Sequence, residues 1–442
     1  NPFFEPADIV LPDGALEEQR LQLLGVVVER MVCDAQRSEL RNVERADVVI
    51  IGGGPAGAAT ALALARRGVD VVLLDRARFP REKLCGDFLH PLGTAALERL
   101  GVLDEVLPRA QVLRGMLIVS PQGREVFARF AGGAGLSLSR AVLDDVVLRA
   151  AQRAGTLVRT GMAARAVTRH GDQWRVSTDR GTLEARLLVG ADGLHSRVAV
   201  AAGLRDRTRR DGRYALGIYV RGLPAHEGFG EMHLGQEVYC GVSVFPDGQA
   251  NVTMVVPKAA IRARHDGAPH GLARDILDQM LAAFPRLYPR VRTAVTSREM
   301  RAVGPLTPTG GPVVGDGVLL VGDAAAFTDP LTGQGVSLAL TAAPVAARTI
   351  ADALRRGDLR AAALAPYARW HHHRLVGLRR FLHLVDWLAL RTPLIEPLAR
   401  AWQDRPALAT RFLGVIGSGE PARTVLNPAY VSRLLRTCIS RA

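Results

Sequence analysis

A glycine-rich turn between a predicted strand and a predicted helix constrains this chain more than any other feature. Gly52, Gly54 and Gly57 form the pattern G-x-G-x-x-G directly after the apolar run "DVVII" and open the run "PAGAATALALARRG". The first glycine permits a tight turn, the second lets backbone approach a pyrophosphate, and the third lets helix and strand pack closely. The next predicted strand ends at Asp75, where a carboxylate can accept hydrogen bonds from an adenosine ribose. Together these features predict a Rossmann-like dinucleotide-binding unit.

A second constellation, "GVLLVGDAAAFTDPLTGQG", favours FAD over NAD as the dinucleotide. Gly322 and Asp323 end an apolar strand, and Pro330, Gly333 and Gly335 lead into a helix. A carboxylate in this position can bind a ribityl hydroxyl. The N-terminus of the following helix can stabilise negative charge on a reduced flavin ring.

Three ordered motifs resemble one flavoprotein superfamily. The "GGGPAG" turn, "GADGLHSRVA" at 190–199 and "GDAAAFTDPLTGQG" are together similar to the p-hydroxybenzoate-hydroxylase-like FAD oxidoreductases. That superfamily includes aromatic monooxygenases, geranylgeranyl reductases and flavin-dependent halogenases. The resemblance covers roughly residues 46–390. It implies a resident FAD, with NAD(P)H as the reductant and without a separate nicotinamide-binding domain.

The resemblance also assigns cofactor contacts to individual residues. Arg140, in "SLSRAVLDDVVLRAA", matches the family arginine that reaches the phosphate–ribose region of the flavin. Asp192 of "GADG" matches an aspartate with structural and cofactor roles, and a purely structural turn cap is the alternative. No metal site is expected. The predicted cofactor-binding residues are Gly52, Gly54, Pro55, Ala56, Gly57, Asp75, Arg76, Lys83, Cys85, Gly86, Arg140, Asp192, Gly322, Asp323, Pro330, Gly333, Gln334, Gly335 and Val336.

The stretch "RFPREKLCGDFLHP", Arg78–Pro91, resembles the flavin-contacting loop of geranylgeranyl reductases and of halogenases. A reactive cysteine needs a depressed pKa, which sequence alone does not establish. We therefore interpret Cys85 as a small residue packed beside the cofactor. Asp87 and His90 are the predicted catalytic residues, and Tyr239 is a further polar candidate near the flavin.

The segment "EVYCGVSVFPDG" bears on the reaction. Geranylgeranyl reductases carry aromatic residues at alternate positions before Phe-Pro, and halogenases carry paired tryptophans, whereas this chain has Gly241 and Ser243. This difference favours hydroxylation of an aromatic group through a flavin C4a-hydroperoxide. The substrate would be a small aromatic, a polyketide, or a peptide-borne residue such as tryptophan in quinone-cofactor maturation. A C=C reductase, a halogenase and a non-catalytic flavin-binding partner protein stay open as alternatives.

The net charge and the composition of the chain indicate which kinds of partner it binds. The chain has 57 Lys and Arg against 43 Asp and Glu, a net charge of +14, which suits an acidic peptide or protein carrier, or peripheral membrane contact. It has no nucleic-acid-binding motif and no apolar run approaching 18 residues, and its four cysteines form no C-x-x-C pair. A cytoplasmic location is therefore expected. Adjacent helical side chains point about 100° apart, so His371–His373 is predicted to be exposed helix surface rather than a metal site.

We predict an α/β fold: a Rossmann-like FAD-binding domain with an inserted antiparallel-sheet substrate domain and a helical C-terminal region. The FAD-binding domain would comprise 45–205 and 300–350, and the substrate domain 206–299. Residues 1–44 would form an N-terminal helical extension, and 351–442 the C-terminal helices.

Overall fold

The computed structural model describes residues 43–205, 212–260 and 281–439. The predicted helical extension lies outside this part of the chain, apart from Val43 and Glu44, which open the first strand. The fold is mixed α/β with a helical C-terminal region, which confirms the predicted fold class. The strands are β1 Val43–Ile51, β2 Val71–Asp75, β3 Phe88–Leu89, β4 Gln111–Leu113, β5 Gly115–Val119, β6 Glu125–Arg129, β7 Gly135–Ser137, β8 Leu157–Thr160, β9 Ala164–His170, β10 Gln173–Thr178, β11 Gly181–Gly190, β12 Arg213–Arg221, β13 Phe229–Leu234, β14 Tyr239–Val244, β15 Gln249–Pro257, β16 Val295–Leu306, β17 Val314–Gly315 and β18 Val318–Leu320.

Strands β3, β7 and β4 form a three-stranded sheet beside two larger sheets, which are covered by helices. The helices are α1 Pro55–Ala65, α2 Pro91–Arg99, α3 Leu103–Val106, α4 Arg140–Arg153, α5 Arg197–Ala201, α6 Tyr288–Thr293, α7 Gly335–Arg356, α8 Ala361–Ala389, α9 Thr392–Asp404, α10 Pro406–Leu413, α11 Arg423–Leu426 and α12 Pro428–Ile439. Within the described residues, none of these helices has the length and apolar composition needed to cross a bilayer.

The first sheet has a parallel core in the order β18-β11-β1-β2-β8, with β17 and a β9–β10 hairpin added to it. Val49 of β1 pairs with Leu188 on one side and with Val72 on the other. Parallel strands are covered by helices on both faces, which explains why these strands are continuous apolar runs. Helix α1 packs between α4 and α7 on this sheet.

The glycine turn after β1 depends on a close approach of backbone to backbone. Gly52 has φ +111°, a left-handed conformation that favours glycine. A Cβ atom on Gly57 would lie 1.8 Å from the carbonyl oxygen of Gly52. The start of α1 can therefore reach the end of β1 only because Gly57 has no side chain.

The second sheet has seven strands in the order β16-β12-β15-β14-β13-β5-β6, and only the β13–β5 pair is parallel. One face packs on Leu281, Phe284 and α6. The other face packs on Leu331 and on the C-terminal helices. This sheet recruits β5 and β6 from before residue 206 and continues in β16 to Leu306, so it extends beyond 206–299. The domain boundaries stay a prediction.

The C-terminal helices close the space over the second sheet. Phe381 and Val385 of α8, Trp402 of α9 and Leu408 of α10 share a cluster with Val126 of β6. Because both partners are apolar, this contact holds the helices against the sheet. A large cavity lies between the two sheets and these helices.

We expect Gly57→Ala to lower the free energy of unfolding by about 3 kcal/mol, because the added methyl group overlaps the Gly52 carbonyl. The matched control is Gly132→Ala, where a Cβ meets no atom within 4 Å. The control should change stability by less than about 0.5 kcal/mol. Urea denaturation of both variants checks this, and equal stabilities would contradict it.

Candidate active site

The cavity, about 2200 Å³ in volume, begins at the carboxyl edge of the first sheet. Strands β1, β2, β11 and β18 are parallel, so the residues that follow them meet at this edge. Gly52, Arg76, Asp192 and Asp323 line the cavity there. Ligands of open α/β sheets bind at this edge.

Most of the predicted cofactor-binding residues meet at this cavity. Gly57 and Gln334 do not line it: Gly57 packs α1 on β1, and Gln334 donates from Nε2 to the Ile416 carbonyl at 2.8 Å. Those that line it are Gly52, Gly54, Pro55, Ala56, Asp75, Arg76, Lys83, Cys85, Gly86, Arg140, Asp192, Gly322, Asp323, Pro330, Gly333, Gly335 and Val336.

Asp75 is held in place by the turn it faces. Its Oδ2 accepts from the Gly53 N–H at 2.7 Å, and its Oδ1 accepts from the Ala77 N–H at 2.8 Å. Each carboxylate oxygen has a further lone pair. The oriented carboxylate can therefore also accept from ribose hydroxyls.

Two arginines lie against the glycine turn. Arg140 binds Asp144 in bidentate fashion, with both distances 2.8 Å, and Arg81 contacts the same carboxylate at 3.2 Å. A Cβ on Gly54 would lie 3.4 Å from Nη2 of Arg81 and 3.9 Å from that of Arg140. Burial opposes the charge of Arg140, but Asp144 raises its pKa above the ordinary value. Two positive charges therefore lie beside the turn, where the glycine motif predicts the pyrophosphate of a dinucleotide.

Lys83 lines the cavity between the pyrophosphate region and Asp323. Desolvation lowers its pKa, and the nearby charge of Arg140 lowers it further, while Asp323 opposes the shift. An anionic ligand here would offset the repulsion between Lys83 and Arg140.

Asp323 presents an open carboxylate to the cavity. It lies in the single turn Gly322–Ala324, and no donor among the described residues hydrogen-bonds to its side chain. Helix α7 starts at Gly335 without a side-chain cap, so its first N–H groups are free for a ligand. An unpaired acceptor beside an uncapped helix N-terminus fits a ribityl hydroxyl and a reduced flavin ring.

The loop before β3 is attached to the second sheet by its backbone. The Cys85 carbonyl accepts from Nδ2 of Asn251 at 2.8 Å and from Oγ1 of Thr253 at 3.2 Å. The Gly86 carbonyl accepts from Oγ of Ser243 at 2.7 Å. Burial raises the pKa of the Cys85 thiol, which disfavours a thiolate. The geometry supports our interpretation of Cys85 as a packing residue.

Asp87 connects the loop to three other elements, β12, β15 and α4, rather than facing the cavity. Its carboxylate accepts from the Tyr219 hydroxyl at 2.5 Å, from Nδ2 of Asn251 at 2.7 Å and from the Arg140 N–H at 3.2 Å. Burial raises its pKa to about 6, although the bonds from Tyr219 and Asn251 oppose this. A catalytic role for Asp87 stays a prediction, and these contacts give it a positioning role.

His90 lines the cavity and contacts the turn that precedes α7. Its Nε2 lies 2.6 Å from the Thr332 carbonyl, so Nε2 carries the proton and donates it. Burial lowers the pKa of His90 to about 4, which keeps the ring neutral. Its Nδ1 is buried without a hydrogen-bond partner among the described residues, beside Gly417. His90 thereby orients the predicted flavin turn, and its catalytic role stays a prediction.

Asp192 caps a helix. Its Oδ2 accepts from the N–H groups of Arg197 and Val198 at 2.7 and 3.2 Å, and its Oδ1 accepts from Oγ of Ser196 at 2.5 Å. These contacts are those of a structural cap, which is the alternative role that the sequence left open for Asp192.

The far half of the cavity is apolar. The second sheet forms one wall and the C-terminal helices form the other. The residues of this apolar half are Met116, Ile118, Met232, Leu234, Val255, Leu331, Val385, Leu388, Ala389, Ile395, Leu398, Trp402, Phe412, Leu413 and Ile416.

One polar cluster lies at the wall of the apolar half. The Tyr239 hydroxyl donates to Oδ1 of Asp329 at 2.5 Å, and Arg213 lies 3.6 Å from the other oxygen. Burial, with repulsion from Asp329, raises the pKa of Asp386 to about 7. Asp386 therefore stays protonated at pH values where an exposed carboxyl is already ionised. Of this cluster, the sequence points only to Tyr239, because Asp386 comes near Asp329 only when α8 packs on this wall.

His371 corrects one expectation. Its side chain lines the cavity, and its ring centre lies 5.8 Å from the centre of the Tyr367 ring. Burial lowers the pKa of His371 to about 4. His372 and His373 are exposed as predicted. The helix turns His371 inward because adjacent side chains point in different directions.

Comparison with known proteins gives a family and several relatives. Residues 45–375 match a family model described as "FAD binding domain". The chain is 30% identical over 383 residues to digeranylgeranylglycerophospholipid reductase 1 of Methanothermobacter thermautotrophicus, covering 82% of this chain and 91% of that protein. It is 29% identical over 415 residues to menaquinone reductase of Mycolicibacterium smegmatis, covering 89% of this chain and 96% of the relative.

Solved structures share the fold at low identity. A flavoprotein/dehydrogenase from Cytophaga hutchinsonii superposes with a TM-score of 0.76 at 18% identity, covering 90% of this chain and 100% of that one. Halogenase PltM, solved in complex with phloroglucinol and FAD, gives a TM-score of 0.70 at 18% identity, covering 89% and 90%. These likenesses concern the fold alone.

We expect Asp323→Ala to weaken FAD binding about tenfold or more, because a charged hydrogen-bond acceptor is lost. The control is Asp352→Ala, which also removes a carboxylate. Asp352 lies on α7 outside the cavity and pairs with Arg355. Flavin titration of the apoprotein measures both variants. Unchanged affinity in Asp323→Ala would refute the ribityl contact.

The raised pKa of Asp87 predicts that the difference in stability between the wild type and Asp87→Asn depends on pH. The folded-state pKa of Asp87 is raised to about 6, so its protonated carboxyl stabilises the fold at pH values below its pKa in the unfolded chain. This contribution is lost as the pH rises through 6. The stability of the wild type relative to Asp87→Asn should therefore fall by about 3 kcal/mol between pH 4 and 7. Urea denaturation across this range checks it, and a constant difference would count against the burial of a titrating Asp87.

Proposed function

Because the chain belongs to the FAD binding domain family and is an FAD-dependent oxidoreductase, we propose that it reduces a carbon–carbon double bond in the apolar chain of an isoprenoid lipid. This departs from the aromatic hydroxylation favoured by the sequence and adopts the reductase alternative. The observation that carries it is the apolar half of the cavity, which continues directly from the flavin region.

The shape and lining of the cavity support a long hydrocarbon substrate. Asp323, Gly333 and Gly335 mark the flavin region, and Leu331 begins the apolar wall beside it. That wall continues along the second sheet and α8–α10, so a chain lying on it would bury apolar surface over its length. The same lining disfavours the acidic peptide that the net charge suggests.

The relatives support the same substrate class. Two of them are a digeranylgeranylglycerophospholipid reductase and a menaquinone reductase. The Lys83-x-Cys85-Gly86 stretch resembles the reductase loop, and its backbone is attached to the second sheet. We extend the lipid substrate class of these proteins to this chain.

Reduction of a double bond requires a hydride and a proton. Reduced FAD supplies the hydride when bound, and NAD(P)H would restore the reduced cofactor. The protein's task is to orient the double bond, exclude water and supply the proton. Tyr239 lines the cavity and its hydroxyl donates to Asp329, and burial raises the pKa of the nearby Asp386 to about 7. We assign the proton to this cluster.

Aromatic hydroxylation stays a second candidate, and one observation favours it. Gly241 lines the cavity, and a Cβ added there would have no neighbour closer than 3.8 Å. This space could admit an aromatic ring beside the flavin. An aromatic ring with a long apolar chain would use both halves of the cavity.

Anaerobic turnover tests the proposal. The reduced holoenzyme is mixed with a digeranylgeranylglyceryl phospholipid or a menaquinone in detergent, and the products are analysed by mass spectrometry. We expect the addition of two hydrogens to the isoprenoid chain without oxygen, and no reaction with a fully saturated chain. Reaction only in air, with one oxygen gained, would establish hydroxylation instead. No reaction with any chain-bearing lipid would refute the proposed substrate class.

A further inference from the structure

Three large apolar side chains are exposed where α8 meets α9. The exposed fractions are 41% for Leu384, 50% for Trp387 and 37% for Leu394. We call Leu384, Trp387, Arg391 and Leu394 the α8–α9 corner. Exposed apolar side chains that cluster in one place mark interaction surfaces more often than scattered ones do.

Local contacts link the end of α8 to the start of α9. Arg391 donates to the Trp387 carbonyl at 2.6 Å, and its guanidinium lies 4.5 Å from the centre of the Trp387 ring. The Leu394 N–H donates to the Arg391 carbonyl at 2.9 Å. Leu384 lies three residues before Trp387, on the same helix face.

The opposite faces of these helices form the cavity wall. Val385 and Ala389 of α8 and Ile395 of α9 are buried and line the apolar half. Leu388, adjacent to Trp387 in the chain, is half-buried and also lines it. The corner is therefore the outer side of the wall that would contact a lipid chain.

The charges around the corner are mainly positive. Arg380 and Arg391 are exposed, whereas Asp386 is partly buried and Glu396 is buried and contacts Arg124 at 3.5 Å. The exposed acid Glu237 donates its N–H to the Leu390 carbonyl near the corner. The chain as a whole carries +14. Arginines beside exposed leucine and tryptophan side chains favour an anionic bilayer surface.

We propose that the α8–α9 corner docks the protein on an anionic lipid bilayer, so that a lipid chain can pass from the membrane into the apolar half. Leu384, Trp387 and Leu394 would enter the boundary between headgroups and acyl chains, where tryptophan is favoured. Arg380 and Arg391 would contact lipid phosphates. The proposed function supplies the purpose of docking, but the docking is measured without any substrate.

Vesicle co-sedimentation of the FAD-loaded protein tests the proposal. The probes are phosphatidylcholine vesicles with and without phosphatidylglycerol. We expect binding to the vesicles that contain phosphatidylglycerol, weakened by salt, and little binding to phosphatidylcholine alone. Leu384→Ser combined with Trp387→Ser should lower the bound fraction at least about tenfold.

Leu157→Ser is the matched control, since Leu157 is a leucine of β8 exposed to 46%. It should bind vesicles like the wild type. Both variants should keep the wild-type flavin content and the wild-type turnover of detergent-dissolved substrate, which separates docking from the proposed reaction.

Three outcomes would overturn the proposal. The wild type could fail to bind either vesicle, the double variant could bind as well as the wild type, or the corner could instead join two copies of the chain. Analytical ultracentrifugation detects the last outcome as a dimer that the double variant dissociates.

Discussion

The buried carboxylate of Asp87 holds the site together, because it joins the loop before β3 to the second sheet and to the start of α4. It receives hydrogen bonds from Tyr219 of β12, Asn251 of β15 and the backbone of Arg140 at the start of α4. The loop carrying Lys83, Cys85 and Gly86 is thereby fixed between the two sheets. Since a buried carboxylate is costly without partners, this position favours a folded arrangement in which all three donors are present.

The two halves of the cavity follow from this arrangement. The first sheet supplies charged and polar groups that match a dinucleotide: Asp75, Arg140 and Asp323. The second sheet and the C-terminal helices supply mainly apolar walls, with the cluster at Tyr239 and a few other polar side chains such as Glu231 and His371. An FAD bound to the first half would thus have its reactive ring at the entrance of a hydrocarbon-lined space. The exposed corner of α8 and α9 lies behind the same wall, which connects the proposed chemistry to the proposed membrane contact.

The nucleotide half of the site could be predicted from the sequence because its signals are local. Gly52, Gly54, Asp75 and Asp323 follow strands directly, and parallel strands bring such residues to one edge. The spacing of the glycines and Asp75 predicts a dinucleotide, and Asp323 with the helix that follows it favours FAD. The fold class could be inferred in the same way, from strand and helix patterns in order along the chain.

The substrate half could not be predicted in this way because its contacts are distant in sequence. Ser243 was interpreted only as a missing aromatic residue, whereas its hydroxyl binds the Gly86 carbonyl. Asp386 approaches Asp329 only when α8 packs on the second sheet. The inward direction of His371 depends on the same packing. Residue type suggested chemistry at these positions, but tertiary contacts determine which side chains reach the cavity.

The central claim is that the flavin site delivers electrons to a double bond held in the apolar half. The most direct measurement is the flavin absorbance of the reduced holoenzyme after anaerobic mixing with a digeranylgeranylglyceryl phospholipid. That lipid has no quinone ring, so only its chain can accept electrons. We expect the oxidised flavin spectrum to return with this lipid and not with its saturated counterpart. A flavin that stays reduced with both lipids would contradict it.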